Sequence, residues 1–164
     1  MKTAYCTTDT LQQPARVFRL IPAGIFRASD GRPQNLPGWT MNAAAAKQMI
    51  AAVEQRPGDV LIDFEHQSLN TSTNGMPAPA AGWFKQLEWR EGDGLYVTDA
   101  RWTENAAKMI AAREYRHISP VFAFDKTGVV CGIVSAALTN TPALEGLTDF
   151  AAASRLGIAQ PNHY

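Results

Sequence analysis

His117-Ile118-Ser119-Pro120-Val121-Phe122-Ala123-Phe124, then Asp125-Lys126-Thr127-Gly128, then the run from Val129 to Leu138 is the stretch that decides the fold. Two segments rich in β-branched and aromatic residues flank a four-residue turn of Asp, Lys, Thr and Gly, and this reads as an antiparallel hairpin. Counting by two along its first strand, His117 and Ser119 share one face and Ile118 takes the other. Working back from this hairpin, Trp83 to Trp89 and Leu95 to Trp102 bracket Glu91-Gly92-Asp93-Gly94, which predicts a second hairpin. Earlier still, Val60-Leu61-Ile62-Asp63-Phe64-Glu65-His66 has strand character. Its parity puts Val60, Ile62, Phe64 and His66 on one face and Asp63 and Glu65 on the other. Residues Gln67 to Pro79 are rich in Ser, Thr, Asn, Gly and Pro and read as a long loop.

Helical signals lie between these strands. Thr40 is placed to cap a helix that runs through Ala43–Ala46 to about Glu54, with Ala45, Met49, Ala52 and Val53 at helical spacing and Pro57-Gly58 beyond its end. Thr103 caps a second helix reaching about Tyr115, and Glu104 in its first turn complements the helix dipole. Near the N-terminus, Val17 to Ile21 and Ile25-Phe26 predict short strands around the Pro22-Ala23-Gly24 break. The sum is an α+β domain built on an antiparallel sheet or barrel with two or three helices. The boundaries expected are residues 1–150 for the domain and 151–164 for a C-terminal tail.

The composition narrows the function classes. The 164 residues carry 15 Lys and Arg against 15 Asp and Glu, a net charge of zero. That balance argues against nucleic-acid binding as the main business, because phosphate contacts require clustered Lys and Arg. No apolar run approaches the roughly 20 residues that span a membrane, and Met1 to Thr10 has no signal-peptide pattern. Cys6 and Cys131 form no CxxC pair, which suits a reduced, intracellular compartment and argues against thiolate metal sites. Trp83, Trp89 and Trp102 flank predicted strands and are read most simply as core or sheet-face residues.

Among chemistry-bearing residues, His66 stands out because it ends an apolar strand face just before a polar loop. A core-edge histidine bonded to a backbone carbonyl is the plain alternative. Ser119 pairs in sequence with His117, and a serine hydroxyl becomes a nucleophile only with a base within hydrogen-bond reach. No GxSxG elbow is present. A metal site drawing on Asp63, Glu65, His66 and His117 is the rival chemistry, yet strand parity sets the carboxylates opposite His66, and there is no HExxH.

The segments Val60–His66, Gly82–Trp89, Leu95–Trp102, His117–Phe122 and Ile133–Leu144 together resemble the protease (I protein) family of Mu-like bacteriophages. More distantly they resemble the prohead proteases of tailed phages and the herpesvirus assemblins. In that wider group a histidine ends a strand and a glycine-containing strand follows, matched here by Ile62-Asp63-Phe64-Glu65-His66 and Ala81-Gly82-Trp83. The family nucleophile lies about fifty residues later inside a strand, and Ser119 matches it. The resemblance therefore implies Ser119 as nucleophile, His66 as general base and an antiparallel barrel-like core flanked by helices. The third member falls on Ser135, where the wider group carries His, Glu or Asp. A serine orients an imidazole but cannot stabilise imidazolium by charge. Either a Ser119–His66 dyad works with help from Ser135, or Asn140 or Asp63 takes over. The assemblins also place arginines near the oxyanion hole, and none lies between Asn140 and Leu147.

The activity implied is a serine endopeptidase of phage head maturation, acting in assembling proheads in the host cytoplasm. It would cleave the scaffold protein, other prohead proteins and itself, with no cofactor or metal, no nucleic-acid or membrane partner, and scope for a homo-oligomer. No long charged helical segment of the scaffolding kind is present, so the chain reads as the protease portion of a protease–scaffold precursor. Ala151-Ala152-Ala153-Ser154 offers the small residues expected near a self-cleavage site. The alternative is a catalytically degenerate head-assembly module on the same fold.

Overall fold

The computed structural model describes residues 2–5, 9–10, 13–28, 33, 36–69, 75, 77–139 and 158–159. The hairpin that decides the fold forms as expected: β11 is His117–Phe124 and β12 is Val130–Thr139. Asp125 makes the turn. Its carboxylate accepts the backbone N–H of Thr127 (2.9 Å) and Val129 (3.1 Å) and the Thr127 hydroxyl (2.6 Å), while Gly128 adopts φ +93°. That left-handed value favours a residue without Cβ.

The other strands are β1 (Lys2–Tyr5), β2 (Asp9–Thr10), β3 (Phe18–Pro22), β4 (Gly24–Ala28), β5 (Trp39–Met41), β6 (Val60–Phe64), β7 (Ala80–Phe84), β8 (Leu87–Arg90), β9 (Gly94–Val97), β10 (Arg101–Trp102) and β13 (Ile158–Ala159). The main sheet runs β1-β11-β12-β6-β7-β10, with β2 also pairing β11. Two three-stranded sheets, β13-β4-β5 and β3-β9-β8, complete the strands. The mixed α+β class stands, but the barrel-like closure expected from the resemblance does not. Among the described residues the main sheet is open, ending at β1 and β10. Nor is it wholly antiparallel, because β6 and β12 run parallel, pairing Ile62 with Ala136, Asp63 with Ala137 and Phe64 with Leu138.

The predicted second hairpin forms, β8 pairing antiparallel with β9 from Leu87 with Val97 to Arg90 with Gly94, but its first strand is broken. The stretch 83–89 bends at Lys85-Gln86 and feeds two sheets, β7 in one and β8 in another. Asp99 holds that corner, its carboxylate accepting the Lys85 N–H (3.0 Å) and the Gln86 N–H (2.8 Å). Gly82 permits the crossing of β7 and β10, since a Cβ there would stand 2.5 Å from the Arg101 carbonyl oxygen.

Helix α1 spans Ala43–Gln55, capped by Asn42 rather than Thr40, with the Asn42 side chain accepting the Ala45 N–H at 2.8 Å. Thr40 instead belongs to β5 and pairs with Ile25. Ala45, Ala46, Met49 and Val53 are its buried stripe, whereas Ala52 faces out. Helix α2 is Glu104–Ala111 with Thr103 as cap. It stops short of Tyr115 because Arg113 turns left-handed (φ +64°) and the Tyr115 ring leaves to pack on Phe64, centroids 5.4 Å apart. No helix among the described residues is long and apolar enough to cross a membrane.

The core gathers on one face of the main sheet. Ile118, Phe122 and Phe124 of β11 and Ala136 and Leu138 of β12 join Leu20, Phe26, Trp39, Met49 and Leu95. Trp39 meets Phe122 edge-on at 5.2 Å. Val121 and Ala137 are equally buried yet lie outside that cluster. They belong to the opposite face of the sheet, together with every buried polar residue of β6, β11 and β12.

Candidate active site

Register defines this second face. Ser119 pairs with Ala137, and Ala137 pairs with Asp63, so the three side chains form one row across β11, β12 and β6. Ser119 and Asp63 are thus two strand spacings apart, about 10 Å between Cα atoms. Ala137 between them is small and fully buried. The neighbouring rows are His117 with Thr139 on one side and Val121 with Ser135 on the other. Ser119 (1 %), Asp63 (0 %), His66 (6 %), Ser135 (6 %) and Thr139 (4 %) are all nearly closed to solvent.

His66 reaches this face by leaving the strand. After Phe64 the chain takes two consecutive left-handed residues, Glu65 (φ +56°) and His66 (φ +57°). The Glu65 N–H is still held by the Leu138 carbonyl at 2.8 Å. The turn continues into a 3-10 segment, Gln67–Leu69, where the Leu69 N–H donates to the His66 carbonyl at 3.0 Å. This corrects the strand parity, which groups His66 with Ile62 and Phe64. The left-handed pair swings the imidazole onto the side of Asp63 and Ser119, and His66 Nε2 lies 2.9 Å from Ser119 Oγ. Left-handed backbone at a non-glycine residue costs on the order of 1 kcal/mol or more each.

Asp63 supplies an offset. Its Oδ2 accepts the Ser68 backbone N–H at 2.9 Å and the Ser68 hydroxyl, and the His66 backbone N–H also stabilises the carboxylate. Ser68 had no expected role, since it sits in the stretch read as loop. Burial raises the Asp63 pKa above its ordinary value, against the pull of those hydrogen bonds. Burial acts on His66 in the opposite sense and lowers its imidazole from 6.5 to about 3. The ring is therefore neutral at neutral pH, and in the tautomer with Nε2 unprotonated it can accept a hydrogen bond from the Ser119 hydroxyl.

The structure thus brings Ser119 and His66 into contact. It does not bring Ser135 to the imidazole: Ser135 Oγ is buried with no hydrogen-bond partner among the described residues. Its row lies beyond Ser119 from the end of β6 where His66 enters, about 6.6 Å along the strand from Ala137. The rival metal arrangement would need His66 and Asp63 turned to a common point, whereas the imidazole faces Ser119 and the carboxylate faces Ser68. Asn140 and residues 151–154 lie outside the described residues, as does part of the 67–79 loop. Of the 151–164 tail, Ile158-Ala159 pairs in parallel with Arg27-Ala28. Trp83 is partly exposed at a sheet face, and Trp102 packs on Phe18 and donates to the Ala15 carbonyl.

Fold and site define a class: an α+β domain whose mixed sheet carries a buried serine–histidine pair on the face away from its core. The chain belongs to the Mu-like prophage I protein family, whose N-terminal domain model matches residues 18–151. A protein of Escherichia phage Mu named Protease I is 41% identical over 138 residues, covering 79% of this chain and 38% of that protein. The Mu-like prophage FluMu I protein of Haemophilus influenzae is 32% identical over 155 residues, covering 90% of this chain and 43% of that protein. The chain therefore spans about two fifths of the length of these relatives. No solved structure matches it significantly.

Proposed function

We propose that this chain is a serine endopeptidase of phage head maturation in which Ser119 is the nucleophile and His66 the general base. The observation that carries the reading is the buried 2.9 Å contact between His66 Nε2 and Ser119 Oγ. The name Protease I borne by the phage Mu relative supports it. In acylation the Ser119 proton passes to Nε2 while Oγ bonds to the substrate carbonyl carbon and the carbonyl π pair moves onto oxygen. Collapse of that intermediate breaks the C–N bond, and the imidazolium returns its proton to the leaving amine. Water then repeats the sequence on the acyl-enzyme and restores Ser119.

The substrates are the head scaffold protein, other prohead proteins and the chain itself, cut near residues 151–154, inside assembling proheads. Incubation with purified scaffold protein, read by gel and mass spectrometry, tests this. Wild type yields defined fragments and Ser119→Ala yields none. Fragments produced by Ser119→Ala at the normal rate overturn the assignment. A second reading, a catalytically silent head-assembly module, is favoured by one feature: Ser135, at the position of the third member, has no bond to the imidazole. On that reading the wild-type chain cleaves nothing.

A further inference from the structure

A neutral imidazole buried away from water is an unfavourable place for the positive charge that arises when it takes a proton. Something near His66 has to meet that charge, and the hydroxyl of Ser135 cannot do so by Coulombic attraction. Around the pair, the acidic groups carried by β6 and its following turn are Asp63 and Glu65. Glu65 is exposed, whereas Asp63 is fully buried and in the same row as Ser119. Asp63 already grips the segment that presents the imidazole, through Ser68 and the His66 backbone. Its second oxygen, Oδ1, is buried and has no hydrogen-bond partner among the described residues. A carboxylate is an expensive group to bury with one oxygen unsatisfied, and a purely structural turn cap would be served by asparagine at lower cost.

We propose that Asp63 is the positioning residue of the Ser119–His66 pair: it holds the left-handed Glu65-His66 turn that aims the imidazole at Ser119 and keeps a buried negative charge in the row of Ser119 when imidazolium forms. The proposal rests on the serine-protease reading and deepens it. It moves the third role from the strand after the nucleophile to the strand that delivers the histidine. Asp63→Asn separates charge from scaffold, because the amide oxygen still accepts from Ser68 while the negative charge is gone. Burying a neutral amide in place of a carboxylate leaves the fold at least as stable.

The test is steady-state cleavage of a scaffold-derived peptide by the whole chain, with thermal unfolding measured on the same samples. Asp63→Asn is expected to lower kcat roughly 10²-fold with KM changed less than about threefold and Tm unchanged or raised, as for loss of a preorganised charge. Ser135→Ala is expected to stay within about threefold of wild type. If Asp63→Asn turns over within about threefold of wild type while Ser119→Ala is inactive, the proposal is overturned and the serine reading stands. If Ser119→Ala remains active, the reading itself fails. Should Asp63→Asn not fold, Ser68→Ala serves instead: it removes the hydroxyl bond to Asp63, and a several-fold loss in kcat at constant KM is expected. An unchanged kcat in Ser68→Ala overturns the proposal.

Discussion

His66 should be a histidine that resists protonation, and the size of the effect follows from its surroundings. The ring is 6 % exposed, and burial brings its pKa from 6.5 to about 3. A difference of that size is worth about 5 kcal/mol when fully expressed. The sign is that of a base whose folded value is depressed. Above 6.5 both folded and unfolded chains hold a neutral ring, so nothing is lost. As pH falls from 6.5 toward 3 the unfolded chain takes up a proton that the folded chain refuses, and stability declines. At pH 4.5 the loss amounts to about 3 kcal/mol. Asp63 acts in reverse: its raised pKa lets the folded state bind a proton first, and stability is regained as pH falls through that value. Comparison with His66→Gln, which keeps Asp63 and cannot titrate, isolates the histidine contribution. Urea unfolding at pH 7.5 and pH 4.5 should show wild type losing about 2–3 kcal/mol more than His66→Gln. Equal losses in the two proteins, or an imidazole resonance of His66 titrating near 6.5, would mean that burial does not hold the ring neutral.

Three further outcomes test the fold that holds the site. Trp39→Ala removes the fully buried ring between Phe26, Phe122 and Phe124 and should cost about 3–5 kcal/mol in chemical denaturation. Gly82→Ala sets a Cβ 2.5 Å from the Arg101 carbonyl and should destabilise by about 1–3 kcal/mol, with a fall in midpoint and an unchanged denaturant slope. Asn42→Ala deletes the cap of α1 and should cost about 1 kcal/mol, whereas Thr40→Ala, at the position first expected to cap, should not reproduce a capping loss.

The parts of this fold legible in the sequence are those decided by neighbours in the chain. Asp125 to Gly128 carries its own turn chemistry, Thr103 its own cap, and the 117–138 hairpin its own alternation. Asn42 outcompetes Thr40 only because β5 claims Thr40, which is a tertiary fact. The bend at Lys85-Gln86 depends on Asp99, thirteen residues downstream of Gln86, so no local pattern announces it. Parallel pairing of β6 with β12 is likewise a long-range choice, and it makes the main sheet mixed and helps place Asp63 in the row of Ser119. For the site, periodicity alone misplaced His66, because period-two counting assumes a strand that in fact ends at Phe64. Only the resemblance to the phage family joined His66 to Ser119. Two left-handed non-glycine residues in succession leave no compositional trace, and the carboxylate that steadies them was read as facing away.

The proposed activity requires that Ser119 be a nucleophile activated by His66. Mass spectrometry after incubation with a small alkyl fluorophosphonate tests it most directly. One adduct is predicted, mapping to the peptide containing Ser119, absent in Ser119→Ala and formed at least 10²-fold more slowly in His66→Ala. No adduct at Ser119, or labelling of Ser119 at the same rate without His66, would contradict it.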